Sequence, residues 1–280
     1  MAIQLIIDSA SDMLPEEAEQ LGMIHVPLTV CFSDREYQDG VEISHMEFYR
    51  KLEQMGGAIP STSQVSPAVF QSVIEKVLQQ GDVPLLITIS SGLSGTFQSA
   101  RIAADSFEEA VYVIDSENGC HGERILILRA LELIQQGLSI EEIVETLEKE
   151  KKKIRLFILM DTLEYIKTGG RINHAIAIAG NLLSIKPVVQ VVDGKVELVG
   201  KARGKKKGNK LLRECITSVD YNKPLAFAYS GTNKENLREF LDSYPEVWPS
   251  DKGNPLIASV GAVVGSHIGP GAISIAYFEN

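Results

Sequence analysis

The chain has 280 residues, of which 44% are hydrophobic and 23% are charged, and its formal net charge at pH 7 is −10. This length suits two cores with a cleft between them, and the composition excludes a disordered or fibrous protein. The negative charge disfavours general attraction to nucleic acid or to an anionic membrane, so any anionic ligand must be held locally. The cysteines, Cys31, Cys120 and Cys215, are too far apart for a paired framework and indicate reduced thiols in a cytoplasmic protein.

Strands and helices alternate in the first half of the chain, as they do in βαβ units. Predicted strands cover residues 3–7, 24–32, 84–89 and 111–114, and predicted helices begin at Pro15, Ser44, Pro67, Thr96, Gly122 and Ser139. Ser66 and Pro67 suit an N-cap and a first helical position, and Ser139 with Glu142 forms a capping box. The alternation predicts a parallel sheet.

The second half contains strands at 156–160, 225–229 and 273–278, with helical segments around Leu163, over 173–183, from Lys206 and from Asn233. Asp193-Gly194 suits a type I′ turn, so residues 188–192 and 196–199 are predicted to form a hairpin. The two halves are therefore predicted to be two α/β domains, residues 1–153 and 154–280.

Two segments raise the question of membranes. The N-terminus has no basic residue before its short apolar run, which argues against a signal peptide. Residues 256–278 lack acidic and basic side chains over a length that meets the criterion for a membrane helix. Four glycines and Pro270 interrupt that run, so we expect no membrane insertion.

Small polar residues and glycines concentrate in four segments, residues 8–12, 60–64, 90–96 and 265–271. Loops after the carboxyl ends of parallel strands meet in one crevice, and the first and third segments follow predicted strands. Residues 90–96 also precede a helix, whose free N–H groups suit a carboxylate or phosphate, and Ser94 can donate a further hydrogen bond. A tight turn with a Ser/Thr cap explains the same residues equally well.

Ser94 also has an interpretation as the nucleophile of a serine esterase or thioesterase. The run Gly92-Leu93-Ser94-Gly95-Thr96 departs from G-x-S-x-G by its last residue. A triad would need an acid such as Asp161 beside His267, which the sequence alone does not test. A lone histidine is more often a core residue, but the glycines around His267 favour close approach by a ligand.

No metal site is predicted. His25, His45, His121 and His174 show no metal-ligand spacing, and Cys120 is adjacent to His121 rather than separated from it as in zinc motifs. The sequence has two basic segments, Gly169-Gly170-Arg171 and residues 201–207. The second is either a solvated loop and helix start or a docking site for a phosphorylated ligand or an acidic partner. Nucleic acid is disfavoured because no aromatic platform accompanies the charge.

Six segments together resemble the DegV family of fatty-acid-binding proteins. They are IDSASD at 7–12, PSTSQ at 60–64, SSGLSGTFQSA at 90–100, TGGRI at 168–172, KARGKKK at 201–207 and SHIGPGA at 266–272. Each motif is weak by itself, but all six occur in order across nearly the whole chain. Val65 departs from the pattern, because many relatives have proline there.

The resemblance implies two α/β domains and a long-chain fatty acid in an apolar tunnel, with the head-group site near the domain interface. Thr62, Ser94 and His267 would hold the carboxylate. The supporting loop residues would be Ser63, Gly95 and Gly269, and residues 175–185 are a candidate tunnel wall or plain core. A tail of roughly 14 methylenes at ~0.8 kcal/mol each supplies on the order of 11 kcal/mol before association costs.

The resemblance further implies a carrier subunit rather than an enzyme with its own cofactor. A separate ATP-binding kinase would phosphorylate the bound carboxylate to an acyl phosphate for phospholipid synthesis, and Arg171 and Arg203 would contact that partner or the new phosphate. The sequence has no GxxxxGK[ST] loop or kinase Lys/Asp set of its own. A structural or regulatory protein, the remaining alternative, would bind no lipid.

Overall fold

A computed structural model describes residues 1–172 and 185–280. The predicted helix over 173–183 and most of the candidate tunnel wall, residues 175–184, lie outside the described residues. Ile185 is the first residue after that gap and begins a strand.

Thirteen strands and ten helices are assigned within these residues. The strands are β1 (Ile3–Asp8), β2 (Ile24–Val26), β3 (Thr29–Cys31), β4 (Glu36–Gln38), β5 (Ser61–Ser63), β6 (Val83–Thr88), β7 (Tyr112–Asp115), β8 (Ile154–Leu159), β9 (Ile185–Val192), β10 (Lys195–Arg203), β11 (Ala226–Tyr229), β12 (Leu256–Ser259) and β13 (Ile273–Phe278). The helices are α1 (Pro15–Gln20), α2 (His45–Gln54), α3 (Pro67–Gln79), α4 (Thr96–Ala104), α5 (Cys120–Gln135), α6 (Ile140–Glu150), α7 (Glu164–Thr168), α8 (Lys205–Cys215), α9 (Glu235–Ser243) and α10 (Ala262–Ile268).

The first domain contains a parallel four-stranded sheet in the order β2-β1-β6-β7, which confirms the predicted parallel sheet. Its strands are nearly continuous apolar runs, as expected for a sheet covered on both faces. The predicted capping box of Ser139 and Glu142 is present at α6. Ser66 occupies the N-cap position of α3, but its side chain makes no capping hydrogen bond.

The single strand predicted over residues 24–32 was wrong, because the chain forms two strands there. β2 joins the parallel sheet, whereas β3 pairs with β4 and β5 in a separate antiparallel sheet. Pro27 lies between them and has no N–H for a ladder, and the N–H of Leu28 instead donates to the Ser9 hydroxyl at 3.0 Å. This small second sheet positions Thr62, which pairs with Val30.

The second domain contains a mixed six-stranded sheet in the order β10-β9-β8-β13-β11-β12. The predicted hairpin at Asp193-Gly194 is confirmed, with longer strands than expected. Two α/β domains are therefore present, as predicted. β8 begins at Ile154, the first residue of the predicted second domain, although the boundary itself stays a prediction.

Helix α5 lies between the two large sheets and contacts strands of both. It begins at Cys120 rather than at the predicted Gly122. Its first eight residues, Cys120 to Ile127, are all buried, and its apolar side chains belong to one core cluster that includes residues of both sheets. The domains therefore share a continuous apolar core.

Residues 256–278 form strand β12, helix α10 and strand β13 rather than one long helix. Across residues 1–172 and 185–280, no helix is both long enough and apolar enough to cross a membrane.

Candidate functional site: a cavity between the domains

A cavity of about 410 Å³ lies between the six-stranded sheet, helix α10 and the loop that follows β6. Cavities of this size suit small-molecule ligands. Its walls are mainly apolar side chains from both domains: Leu28, Ile89, Leu93, Leu156, Ile158, Ile166, Val189, Val191, Val196, Val263, Val264 and Ile268. Polar side chains line a smaller part, among them Thr62, Ser94 and His267. The cavity thus combines apolar walls with a small set of hydrogen-bonding groups.

Thr62 and His267 form a direct pair in this cavity. Thr62 lies in the middle of β5, and His267 lies near the end of α10, which packs against the first domain. The Thr62 Oγ1 and His267 Nε2 atoms are 2.9 Å apart, although the residues are separated by 205 positions in the chain. The structure therefore brings together two of the three predicted carboxylate ligands.

His267 is held as a neutral imidazole. Burial, with a smaller effect from the positive charge of Arg171, lowers the pKa of His267 from 6.5 to about 4. Its Nδ1 atom is buried and has no hydrogen-bond partner among the described residues. The backbone of Gly169 packs against this side of the ring, since a Cβ there would lie 2.8 Å from Cε1 and closer still to Nδ1. At neutral pH the imidazole can therefore donate from only one nitrogen.

Ser94 lines the cavity and also forms a local turn with Thr96, the first residue of helix α4. Its Oγ lies 3.0 Å from the Thr96 hydroxyl and accepts the Thr96 N–H at 3.2 Å. The Ser94 hydroxyl therefore both lines the cavity and stabilises a local turn, although it does not cap the helix. Of the predicted supporting residues, Ser63 and Gly95 also line the cavity.

The side chain of Gln64 closely approaches Gly95. A Cβ at Gly95 would lie 2.8 Å from the side-chain carbonyl carbon of Gln64, whose Nε2 donates to the Ser99 hydroxyl at 2.9 Å. Gln64 lines the cavity, and sequence reasoning quoted it within PSTSQ without giving it a role. The contact ties the loop of Thr62 to the loop of Ser94.

The remaining predicted residues have different positions. Arg171 lines the cavity, is exposed, and donates to the carbonyls of Leu93 at 3.1 Å and Gly169 at 2.6 Å. Gly269 does not line the cavity; its φ of +71° and the nearby Tyr165 ring require glycine there. Arg203 is exposed at the end of β10 and does not line the cavity.

Carboxylates of the first domain hold the start of helix α10. Asp12 accepts the N–H of Gly261 at 2.7 Å, and Asp39 accepts those of Ala262 at 2.8 Å and Val263 at 3.2 Å. These bonds satisfy N–H groups that a helix leaves free and place negative charge at its positive end. They fix the helix that carries His267, a role that sequence reasoning did not assign to either aspartate.

Part of the apolar wall comes from two strands that the sequence predicted but that sequence analysis did not assign to the ligand site. Leu156 and Ile158 alternate along β8, and Val189 and Val191 alternate along β9, so one face of each strand lines the cavity. Ile185 is the only described residue of the candidate wall 175–185, and it does not line the cavity. Because side chains two positions apart on a strand lie on the same face, this spacing was the sequence signal that could have identified these wall residues.

The triad required by the esterase alternative is not formed among the described residues. His267 pairs with Thr62 rather than with Ser94, and no described carboxylate bonds its Nδ1. Asp161 forms an ion pair with Lys186 instead. The Ser94 hydroxyl therefore lacks the oriented base that a nucleophile needs.

The fold and the cavity define a two-domain α/β protein with a cavity whose polar lining residues come from both domains. The family model described as "Uncharacterised protein, DegV family" matches residues 2–280. The chain belongs to the DegV family, as its motifs predicted.

Relatives and solved structures match over the full length. The chain is 38% identical to a DegV domain-containing protein of Deinococcus radiodurans, covering 99% of this chain and 98% of that protein. A Thermus thermophilus DegV family protein, described by its fatty acid binding, has a TM-score of 0.87 at 35% identity, with full coverage of both chains. DegV from Bacillus subtilis, described as a fatty acid binding protein, has a TM-score of 0.84 at 28% identity, also with full coverage.

Proposed function

We propose that this protein binds a long-chain fatty acid in the cavity between its domains, with the carboxylate at Thr62, Ser94 and His267. The observation that carries the proposal is the Thr62–His267 pair, 2.9 Å apart, in the wall of an otherwise mainly apolar cavity. The similarity to the Thermus thermophilus and Bacillus subtilis proteins, both described by fatty acid binding, supports it.

The apolar and the polar parts of the cavity wall have different roles in binding the fatty acid. Each methylene that leaves water for the apolar wall contributes about 0.8 kcal/mol, so the tail supplies affinity. A buried carboxylate without donors would cancel much of that gain. Two hydroxyls and one imidazole N–H provide donors, and Arg171 provides the positive charge that the neutral imidazole lacks. The contacts of the carboxylate head group therefore fix the orientation of the bound fatty acid.

The carrier role extends this proposal to a partner. A separate ATP-dependent kinase would phosphorylate the bound carboxylate, since the sequence has no phosphate-binding P-loop. Arg171 is both exposed and at the cavity, so it suits contact with a transferred phosphate. Arg203, exposed but away from the cavity, suits contact with the kinase surface. This role, in phospholipid synthesis, would be carried out in the cytoplasm.

Binding is tested by titrating delipidated protein with a saturated and an unsaturated fatty acid. We expect wild-type protein to bind and the His267→Ala variant to bind at least about 10-fold more weakly, the loss of one hydrogen bond to a charged group. Equal affinities of the wild-type protein and the His267→Ala variant would contradict the proposed head-group site.

The partner role is tested by reconstitution with an ATP-dependent bacterial fatty-acid kinase, with the acyl phosphate trapped by hydroxylamine. Arg171→Ala should retain fatty acid but form acyl phosphate at least about 10-fold more slowly, because a charge-assisted contact to the new phosphate is lost. Arg203→Ala should raise the kinase concentration needed for half-maximal rate. Wild-type behaviour of both variants would contradict these roles.

A further inference from the structure

A second cluster of reactive side chains lies beside the cavity and has no part in holding the carboxylate. Asp12 follows β1, and Cys120 and His121 begin helix α5. The thiol sulfur, an imidazole nitrogen and a carboxylate oxygen of these residues all lie within 4.8 Å of one another. Their exposed fractions are 2% for Asp12, 2% for Cys120 and 0% for His121. Cys120 also lines the cavity, so the cluster forms part of its wall.

The cluster contains buried polar atoms that have no hydrogen-bond partner within the described part of the chain. His121 Nδ1 is 2.6 Å from Cys120 Sγ and 3.2 Å from Asp12 Oδ2, so both atoms face one nitrogen. Asp12 Oδ2 and His121 Nε2 are buried without a hydrogen-bond partner among the described residues.

Asp12 Oδ2 faces the other two side chains of the cluster without a hydrogen bond to either of them. Buried polar groups without partners are rare and destabilising, so this carboxylate oxygen points to a cation held between the three side chains.

We propose that Asp12, Cys120 and His121 bind a Zn²⁺ ion through Oδ2, Sγ and Nδ1. Thiolate, imidazole and carboxylate are the ligand types that zinc uses, and three protein ligands leave a fourth position for water. A thiolate disfavours Ca²⁺ and Mg²⁺, which take oxygen ligands. One Zn²⁺ also balances the two negative charges of the thiolate and the carboxylate inside a buried site.

The geometry requires a small local adjustment. Zinc bonds of about 2.3 Å to sulfur and 2.0 Å to nitrogen in a tetrahedron separate those two atoms by roughly 3.6 Å. Cys120 Sγ and His121 Nδ1, now 2.6 Å apart, would therefore move apart by about 1 Å, a distance that side-chain rotation can supply. A bound cation deprotonates a coordinating thiol, so Cys120 would bind as the thiolate.

The site would join distant parts of the chain. Asp12 comes from the loop after β1, and its Oδ1 already accepts the Gly261 N–H at the start of α10. Cys120 has a φ of +53°, a left-handed conformation that only a fixed surrounding maintains in a residue other than glycine. Zinc there would tether α5 to β1 and hold the cavity wall. The sequence shows no zinc motif at Cys120 and His121, because the third proposed ligand, Asp12, lies far from them in the chain.

The first test is the metal content of untagged protein purified without chelators from zinc-supplemented cells. We expect about one zinc per chain in the wild type and in Cys215→Ser, and less than about a tenth of that in Cys120→Ser, since ligand loss abolishes binding. Equal zinc in Cys120→Ser would mean that the metal is held elsewhere, and the proposal would fall. No zinc in the wild type, as purified or after refolding with excess zinc, would also overturn it.

The second test needs no substitution at the cluster, so it applies even if Cys120→Ser does not fold. Protein unfolded with chelator and refolded with Co²⁺ should show thiolate-to-cobalt charge-transfer absorption, which zinc should abolish. The band should persist in the Cys31→Ser/Cys215→Ser double variant, which retains only Cys120. Absence of the band in the refolded wild type would refute the site. Fatty-acid titration of the same samples reports separately on the proposed function.

Discussion

Replacing Gly169 by alanine adds one methyl group against the imidazole that the carboxylate site depends on. The φ of Gly169 is −69°, so alanine fits its backbone without strain. The new Cβ would lie 2.8 Å from His267 Cε1 and closer still to Nδ1. Non-bonded heavy atoms prefer separations of about 3.5 Å or more, so the ring must shift by roughly 1 Å.

The size of the effect follows from the hydrogen bonds that His267 makes. A 1 Å shift takes Nε2 out of its 2.9 Å contact with Thr62 and away from a bound carboxylate. A hydrogen bond to a charged group contributes about 1.5–3 kcal/mol, so fatty-acid affinity should fall by about 10- to 150-fold. The apolar walls do not change, so residual binding should remain.

The assay is calorimetric titration of delipidated protein with a long-chain fatty acid. Gly170→Ala is the matched control, because no atom lies within 4 Å of its added Cβ. Its φ of +70° makes alanine strained, so this control should lose stability, by roughly 1 kcal/mol, without losing affinity. Wild-type affinity in Gly169→Ala, with an unchanged His267 ring resonance in NMR spectra, would refute the reasoning.

Three further predictions concern the same cavity. Thr62→Val should weaken fatty-acid binding by about 10-fold or more in calorimetry while Thr62→Ser stays near wild type, because only serine keeps a hydroxyl; equal losses would contradict this. In the protein without lipid, the His267 ring should titrate near pH 4 by NMR, and a midpoint near 6.5 would be the contrary result. Because the unfolded chain binds more protons between those values, the His267 contribution to stability should decrease as pH falls from 6.5 to 4. Val189→Phe should fill part of the cavity and shift binding competition towards shorter chains, unlike Val199→Phe on the exposed face of β10.

Local sequence signals predicted much of the fold. The capping box at Ser139 and the Asp193-Gly194 turn are formed as expected because a few adjacent residues determine each of them. The region of residues 24–32 was misread because its apolar composition is uniform while its strand pairing changes at Pro27. Pairing depends on distant partners, which local periodicity does not contain.

At the candidate site, too, local sequence features were predicted and contacts between distant residues were not. Glycine-rich loops and the family resemblance pointed to Thr62, Ser94 and His267, and all three line the cavity. The contacts between these residues could not be predicted from the sequence, because Thr62 and His267 are 205 positions apart and meet only through the packing of two domains. The buried carboxylates of Asp12 and Asp39 were also missed, since acidic residues in a loop give no sign that they will hold a helix start in another domain.

The central claim is tested most directly by denaturing the purified protein, extracting it with organic solvent, and measuring the extract by mass spectrometry. The account predicts close to one long-chain fatty acid per chain in the wild type, and much less in a Ser94→Ala/His267→Ala double variant purified in parallel. Absence of lipid from both proteins, even after incubation with added fatty acids, would contradict the fatty-acid site.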